Sequence, residues 1–265
     1  IELNKQALEI HKKTLGENHP TYAGSLTSLS VYYYTIGDYD KALKLSLQAL
    51  EIRKKALGEK HPDYAISLNN IANCYNAKGD YNRSIKLNLQ VLEIFAKVYG
   101  EKHPIYAESL NSFANNYCNA GDYIKALELN KQALVIFKNA YGEDHPVYAT
   151  SLKSLANCYS ALGNYNKAIE HNKQALEIHK KALGENHPTF ATSLHTLAYK
   201  YASQSDYTKA IELNKQALEI RKKILGENHP DYATSLNTLA NCYNAIGDYN
   251  KAIELNKQAL EIFRN

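Results

Sequence analysis

Apolar residues in this chain recur at helical spacing, not at strand spacing. After Pro62, Leu68, Ile71, Ala72 and Tyr75 stand at i, i+3, i+4 and i+7 and form one apolar stripe about 100° wide. After Tyr207, Ala210, Ile211, Ala217, Leu218 and Leu225 form a second stripe, while Glu212 with Lys215 and Glu219 with Lys223 pair on the polar side. Each pattern predicts an amphipathic helix that cannot bury its stripe alone. Hairpin must therefore stack on hairpin, and the core runs on from unit to unit.

The punctuation between helices is periodic. His-Pro recurs at Pro20, Pro62, Pro104, Pro146, Pro188 and Pro230, 42 residues apart each time, and these are all six prolines. One set of glycines, beginning Gly16, Gly58 and Gly100, lies four residues before each proline, and another, beginning Gly37, Gly79 and Gly121, lies midway. Proline suits the first turn of a helix and glycine the left-handed position just past its end, so each unit reads as helix A, a Gly-Asp-Tyr turn and helix B. The fifth unit has Ser205 in place of the turn glycine. The expected organisation is one array over 1–265: a lone helix B at 1–15, full repeats at 20–61, 62–103, 104–145, 146–187 and 188–229, and a last repeat at 230–265. A chain that opens at Ile1 in mid-repeat, with no methionine anywhere, reads as a fragment of a longer array.

Composition narrows the classes. Only 12 glycines and 6 prolines leave little material for turns or linkers, which favours an all-α fold. A charge of +4 from 31 basic and 27 acidic residues is too mild and too mixed to suggest nucleic acid or membrane as a partner. No apolar run has the length of a membrane span, and residues 1–10 read as an amphipathic helix, not a targeting signal. Cys74, Cys118, Cys158 and Cys242 form no C-x-x-C pair, which fits a reducing, cytoplasmic setting.

At this point a family resemblance can be read. Leu68-x-x-Ile71-Ala72-x-x-Tyr75 followed by Gly79-Asp80-Tyr81 resembles the tetratricopeptide signature, with Leu for its tryptophan and Ala for its glycine. The long period, and the phrase Ala-Leu-Glu-Ile-Arg-Lys-Lys-Ile-Leu-Gly-Glu-Asn-His-Pro ending at Pro230, are similar to the repeats of kinesin light chain and nephrocystin-3. The resemblance covers the whole chain. It implies an all-α, right-handed α-solenoid of antiparallel helix-turn-helix hairpins and a scaffold for protein–protein interaction. One departure stands out: mid helix B carries Asn88, Asn130, Asn172, Asn214 and Asn256, where the family has apolar residues. Either these amides bond within the array or the position is wet.

Catalytic and metal chemistry find little support. His19, His61, His103, His145, His187 and His229 precede the prolines one repeat apart, too far to share an ion at ~2 Å, and read as structural junction residues. His11, His171 and His179 lie among charged residues of helix B and are expected to be exposed. Cys74, Cys158 and Cys242 share one repeat position flanked by asparagine and tyrosine, without a base, and read as structural thiols. Of the 22 tyrosines, 17 fall at three repeat positions and read as packing, not as a base-stacking platform. No phosphate loop, paired-carboxylate cleft or nucleophile triad appears, so neither an enzyme nor a cofactor is expected.

What remains is the polar face of helix A, which the resemblance places on the concave side. Asn69, Asn73 and Asn76, then Asn111 and Asn115, Asn157, and Asn237, Asn241 and Asn244 line it with amides. Each amide offers a donor and an acceptor to the backbone of an extended peptide whatever its side chains. Lys153, His195 and Tyr199, with Tyr34, interrupt the ladder and would set selectivity; only Lys153 is basic where chaperone-binding relatives clamp a carboxylate. The bland alternative makes asparagine a soluble filler and the chain a spacer or self-assembling rod. Its uncapped ends would then stack head to tail.

Overall fold

A computed structural model describes residues 2–264 and divides into two compact units, Ile1–Ile136 and Phe137–Asn265. The expected first and last residues of the array, Ile1 and Asn265, lie outside the described residues. The first unit contains α1 (Glu2–Leu15), α2 (Pro20–Thr35), α3 (Tyr39–Leu57), α4 (Pro62–Ala77), α5 (Tyr81–Tyr99) and α6 (Pro104–Asn119), and α7 (Tyr123–Tyr141) spans the division. The second contains α8 (Pro146–Ala161), α9 (Tyr165–Leu183), α10 (Pro188–Ser203), α11 (Tyr207–Leu225), α12 (Pro230–Ala245) and α13 (Tyr249–Arg264). Thirteen helices and no strand occur among the described residues. From α2 on, even-numbered helices are A and odd-numbered helices are B; α2, α4, α10 and α12 each pack against the B helices before and after them, α6 packs against α5, and α8 against α9.

The periodic residues set the helix ends. Each His-Pro histidine is an N-cap in extended backbone, with its Nδ1 accepting the N–H two residues on: Thr21 for His19 at 3.2 Å, Asp63 for His61 at 3.1 Å, and likewise through Asp231 for His229 at 3.1 Å. An imidazole thus does the capping work usual for Ser or Asp, and proline fills the first turn, where no N–H is needed. At the A-to-B turn Asp38, Asp80, Asp122 and Asp206 cap the B helices, with Asn164 doing so before α9. A lysine or arginine one turn into helix B then lies over the ring of the helix A tyrosine: Lys41 over Tyr33, Arg83 over Tyr75, Lys167 over Tyr159 and Lys209 over Tyr201, at 5.2–5.3 Å.

The core is small and layered. Ala23, Ala65, Ala107, Ala149, Ala191 and Ala233 are fully buried at one helix A position, and Leu26, Leu68, Leu110, Leu152, Leu194 and Leu236 are buried three residues on. The alanines let A and B helices approach closely, and the leucines fill the layer between hairpins. The helix B asparagines belong to this core. Asn88, Asn130, Asn172 and Asn214 are buried, and only Asn256 is exposed. Asn88 and Asn172 donate to the carbonyls of Ser84 and Ala168 one turn back, both at 2.9 Å, and Asn214 donates to the carbonyl of Ser235 in the next A helix at 2.7 Å. Of the two possibilities, internal bonding holds for these three.

Ser205 takes the glycine's conformation, at φ 63°, and is the one non-glycine with positive φ among the described residues. A side chain in this region costs about 1–2 kcal/mol, part of which glycine gives back as greater freedom of the unfolded chain. Ser205→Gly is therefore expected to raise stability by about 0.5–1 kcal/mol. Urea melts of the two proteins measure it, and a variant less stable than the parent would contradict the account.

Candidate functional site

The A helices present a nearly uncharged face. Although the chain carries 31 basic and 27 acidic residues, α2 has none and α4, α6, α8, α10 and α12 have one each: Asp63, Glu108, Lys153, Lys200 and Asp231. The charge is concentrated on the B helices and the loops. An A-helix surface of Ser, Thr and Asn is one that offers hydrogen bonds without long-range selection by charge.

In the first unit, Asn115 is exposed and Asn69, Asn73 and Asn111 are half-buried. The Ser112 hydroxyl of α6 lies 3.1 Å from Oδ1 of Asn69 and 3.4 Å from Oδ1 of Asn73 in α4, which turns both amide NH2 groups away from the shared contact. The buried Oδ1 of Asn111 has no hydrogen-bond partner. Asn76 departs from the expectation: it is only 5% exposed, at the end of α4, and is not available to a ligand. At the same repeat position Cys118, Ser160 and Ala202 are half-buried and Asn244 is exposed.

In the second unit Asn157, Asn241, Asn244 and Tyr199 are exposed, Tyr199 at 57%, and Asn237 is half-buried. Lys153 and His195 are drawn inward. Burial holds the Lys153 ammonium below its usual range, with no acid to oppose the effect. His195 places Nδ1 3.0 Å from Oδ1 of Asn214 in α11, and burial lowers its pKa against the opposing effect of that bond. Lys200, on the cysteine position of α10, is 6% exposed, lies 5.6 Å from the Tyr199 ring centroid, and is likewise depressed by burial.

The helix B histidines correct the sequence reading. His179 is fully buried and His11 and His171 are half-buried, whereas all three were expected in solvent. Nδ1 of His179 lies 2.8 Å from Oγ of Ser193, and Nδ1 of His11 lies 2.7 Å from Oγ of Ser25. The same junction is made by Arg53, whose Nη1 donates to Ser67 Oγ at 2.8 Å and the Asp63 carbonyl at 3.1 Å, and by Arg221, which donates to Ser235 Oγ at 2.7 Å and the Asp231 carbonyl at 2.8 Å. Phe95 and Phe137 occupy this position elsewhere and are buried. The signal was in the sequence as a column 42 residues apart, His11, Arg53, Phe95, Phe137, His179 and Arg221, each fourteen residues before a serine.

Among the described residues no cluster of His, Cys, Asp or Glu could hold a metal ion, and no helix is long and apolar enough to cross a membrane. The four cysteines are thiols, with burial pushing Cys74 up to about 11 and Cys242 upward as well. A protonated thiol is a poor nucleophile.

Successive hairpins of this length, packed through buried alanine and leucine layers and carrying amides on the polar face of their A helices, define a helical-repeat protein. The tetratricopeptide repeat model matches residues 1–55, 33–95, 63–138, 110–181, 155–223 and 189–265, and the chain belongs to the tetratricopeptide repeat family. Among solved structures it is similar to a Podosopora anserina putative kinesin light chain with nearly identical TPR-like repeats, at 31% identity over 77% of this chain and 97% of that one, with a TM-score of 0.65. BtubC (BKLC) from P. vanneervenii shares the fold at 21% identity, over 86% of this chain and 89% of that one, with a TM-score of 0.67. A Rap protein complexed with Competence and Sporulation Factor does so at 16% identity, over 96% and 82%, with a TM-score of 0.63. No curated protein matches the chain. The family is one of scaffolds that generally serve protein–protein interaction.

Proposed function

We propose that the A-helix face of each unit binds an extended peptide segment of a partner protein, with asparagine amides pairing to its backbone. The observation that carries the reading is the coincidence of exposed Asn115, Asn157 and Asn241 at one repeat position with a face nearly free of charge. Amides at a 42-residue period read the one feature that every peptide repeats, its N–H and C=O groups. The Rap protein's complex with Competence and Sporulation Factor supports the capacity of such a fold to hold a factor. A cytoplasmic, non-enzymatic role suits this reading.

A second reading, contact through the end helices with another copy of the chain, draws on exposed Leu3 and Ile10 in α1 and Ile253, Leu260 and Phe263 in α13. It accounts for those faces and leaves the amides without a role. The first reading is therefore preferred.

The test uses peptides selected on the full chain from a random library. Asn73→Ala with Asn115→Ala removes two adjacent rungs in the first unit. At ~0.5–1.5 kcal/mol per hydrogen bond, affinity is expected to fall by ~1–3 kcal/mol, roughly 5- to 150-fold. Helix propensity favours alanine, so melting curves should stay level or rise. Calorimetry that finds equal affinity in the well-folded double variant would move the weight to the second reading.

A further inference from the structure

The amide ladder is broken at one place by apolar residues. Val31 and Tyr34 of α2 stand where the next A helices carry Asn73, Asn115, Asn157, Tyr199 and Asn241, and Asn76, Cys118, Ser160, Ala202 and Asn244. No other A helix has an apolar side chain of this size at both positions. Both are exposed, Val31 at 50% and Tyr34 at 36%. Between them and α4 lies a pocket of about 270 Å³, lined by Ser30, Val31, Tyr34, Asn70, Asn73 and Cys74.

Every lining group is neutral. Burial raises the Tyr34 phenol above its usual range and pushes the Cys74 thiol up to about 11, so neither carries charge at physiological pH. The Ser30 hydroxyl is already used, donating to the Ala42 carbonyl at 2.8 Å and lying 2.6 Å from Ser46 Oγ. A charged side chain entering here would meet no countercharge and would lose its water. The Tyr34 ring is held as a wall by Tyr39, with ring centroids 5.4 Å apart. The wall is aromatic and the inner side carries a polarizable sulfur, both of which favour an aromatic occupant over an aliphatic one. The volume suits one large side chain and no larger element.

We infer that this pocket is the specificity site of the first unit's A-helix face: it takes one uncharged aromatic side chain from an extended peptide whose backbone runs along Asn73 and Asn115. The inference rests on the peptide-binding reading and adds its sequence preference. Backbone pairing by amides alone would let a peptide slide from rung to rung, and a single anchored ring fixes the register.

The experiment selects decapeptides from a random phage library on the full chain and measures a selected peptide and its aromatic-to-alanine version by calorimetry. Wild-type protein is expected to prefer the aromatic version at least tenfold. The variant Val31→Asn with Tyr34→Asn installs residues that other repeats already carry at these positions, so it should fold, with circular dichroism as the control. It should bind both versions equally, at the affinity of the alanine peptide. Asn115→Ala, which changes an amide outside the pocket lining, should weaken both versions by the same factor. Selected peptides that depend on the amides but show no aromatic preference, or keep that preference on the Val31 and Tyr34 variant, overturn the pocket and leave the backbone reading standing. A library that yields no binder, or binders indifferent to the amides, overturns both.

Discussion

Phe137→Ala is expected to cost about 3–5 kcal/mol of unfolding free energy, and Phe137→Arg no more than about half as much. Phe137 is 1% exposed, its ring stacks on Tyr141 with centroids 6.3 Å apart, and Tyr141 stacks in turn on His145 at 4.7 Å. Alanine leaves a ring-sized void in this stack. Arginine brings a long side chain of comparable reach to a junction that elsewhere is built for it: Arg221 occupies the same repeat position and bonds Ser235. At the phenylalanine junction the corresponding hydroxyl, Ser151 Oγ, is buried with no hydrogen-bond partner. An arginine donor would satisfy it, which is worth ~1.5–3 kcal/mol for a bond to a charged group, set against the cost of burying that charge. Urea titrations of the full chain, with the slope checked for constancy, give the three free energies. If arginine proves as damaging as alanine, the two junction types are not interchangeable and the column has no common logic.

That column also shows what the sequence could and could not convey. Repeat length, helix ends and the alanine and leucine layers were legible because each depends on residues within one hairpin, repeated at the same offset. Pro62 starts a helix and Gly79 follows its end whatever surrounds them. Burial at His179 depends instead on the next hairpin. Within α9 it sits between Ile178 and Lys180, and nothing in that helix's own pattern says that α10 brings Ser193 within 2.8 Å. Reading across the period would have found it, since phenylalanine at three equivalent positions, Phe95, Phe137 and Phe263, marks the column as apolar.

The candidate face was legible to the level of residue class. Asn115, Asn157 and Asn241 are on the surface because they lie off the stripe of each A helix, which periodicity reveals. Asn76 is not, although its equivalent Asn244 is exposed: burial at this position differs from repeat to repeat, and no single helix encodes it. His195 was read as a selectivity residue, but the structure turns it toward Asn214, a bond between a residue that departs from its own column and one of the regular helix B asparagines. The Val31 and Tyr34 pocket was foreshadowed only by Tyr34, since a pocket needs two helices to enclose it.

Acid should loosen the second unit before it loosens the first. His171, His179 and His195 all lie in the second unit, and burial lowers the pKa of each below the ordinary value of about 6.5. Around His179 the facing charged groups are Lys153 and His187, which lower it further, while the Pro146 carbonyl opposes them. His195 faces Arg221, Asp231 and Asn214, and His171 faces Glu170, Lys167 and Gln174 and stacks on Tyr159 at 5.5 Å. A base whose pKa is depressed by folding binds fewer protons in the native state than in the unfolded one. Its contribution is whole above the unfolded value of about 6.5 and is lost as pH falls through that value toward the lower native one. Each such group can add at most about 1.4 kcal/mol per pH unit to the slope, and three acting together at most about 4. Stability from urea melts at pH 7.5, 6.5 and 5.5 should therefore fall with increasing steepness below pH 6.5. His179→Phe puts at this site the residue that Phe95 and Phe137 show to be compatible with the junction, and it should remove up to one proton's worth of that slope. Equal slopes for His179→Phe and the parent between pH 6.5 and 5.5 would show that the buried imidazole is not what senses the acid.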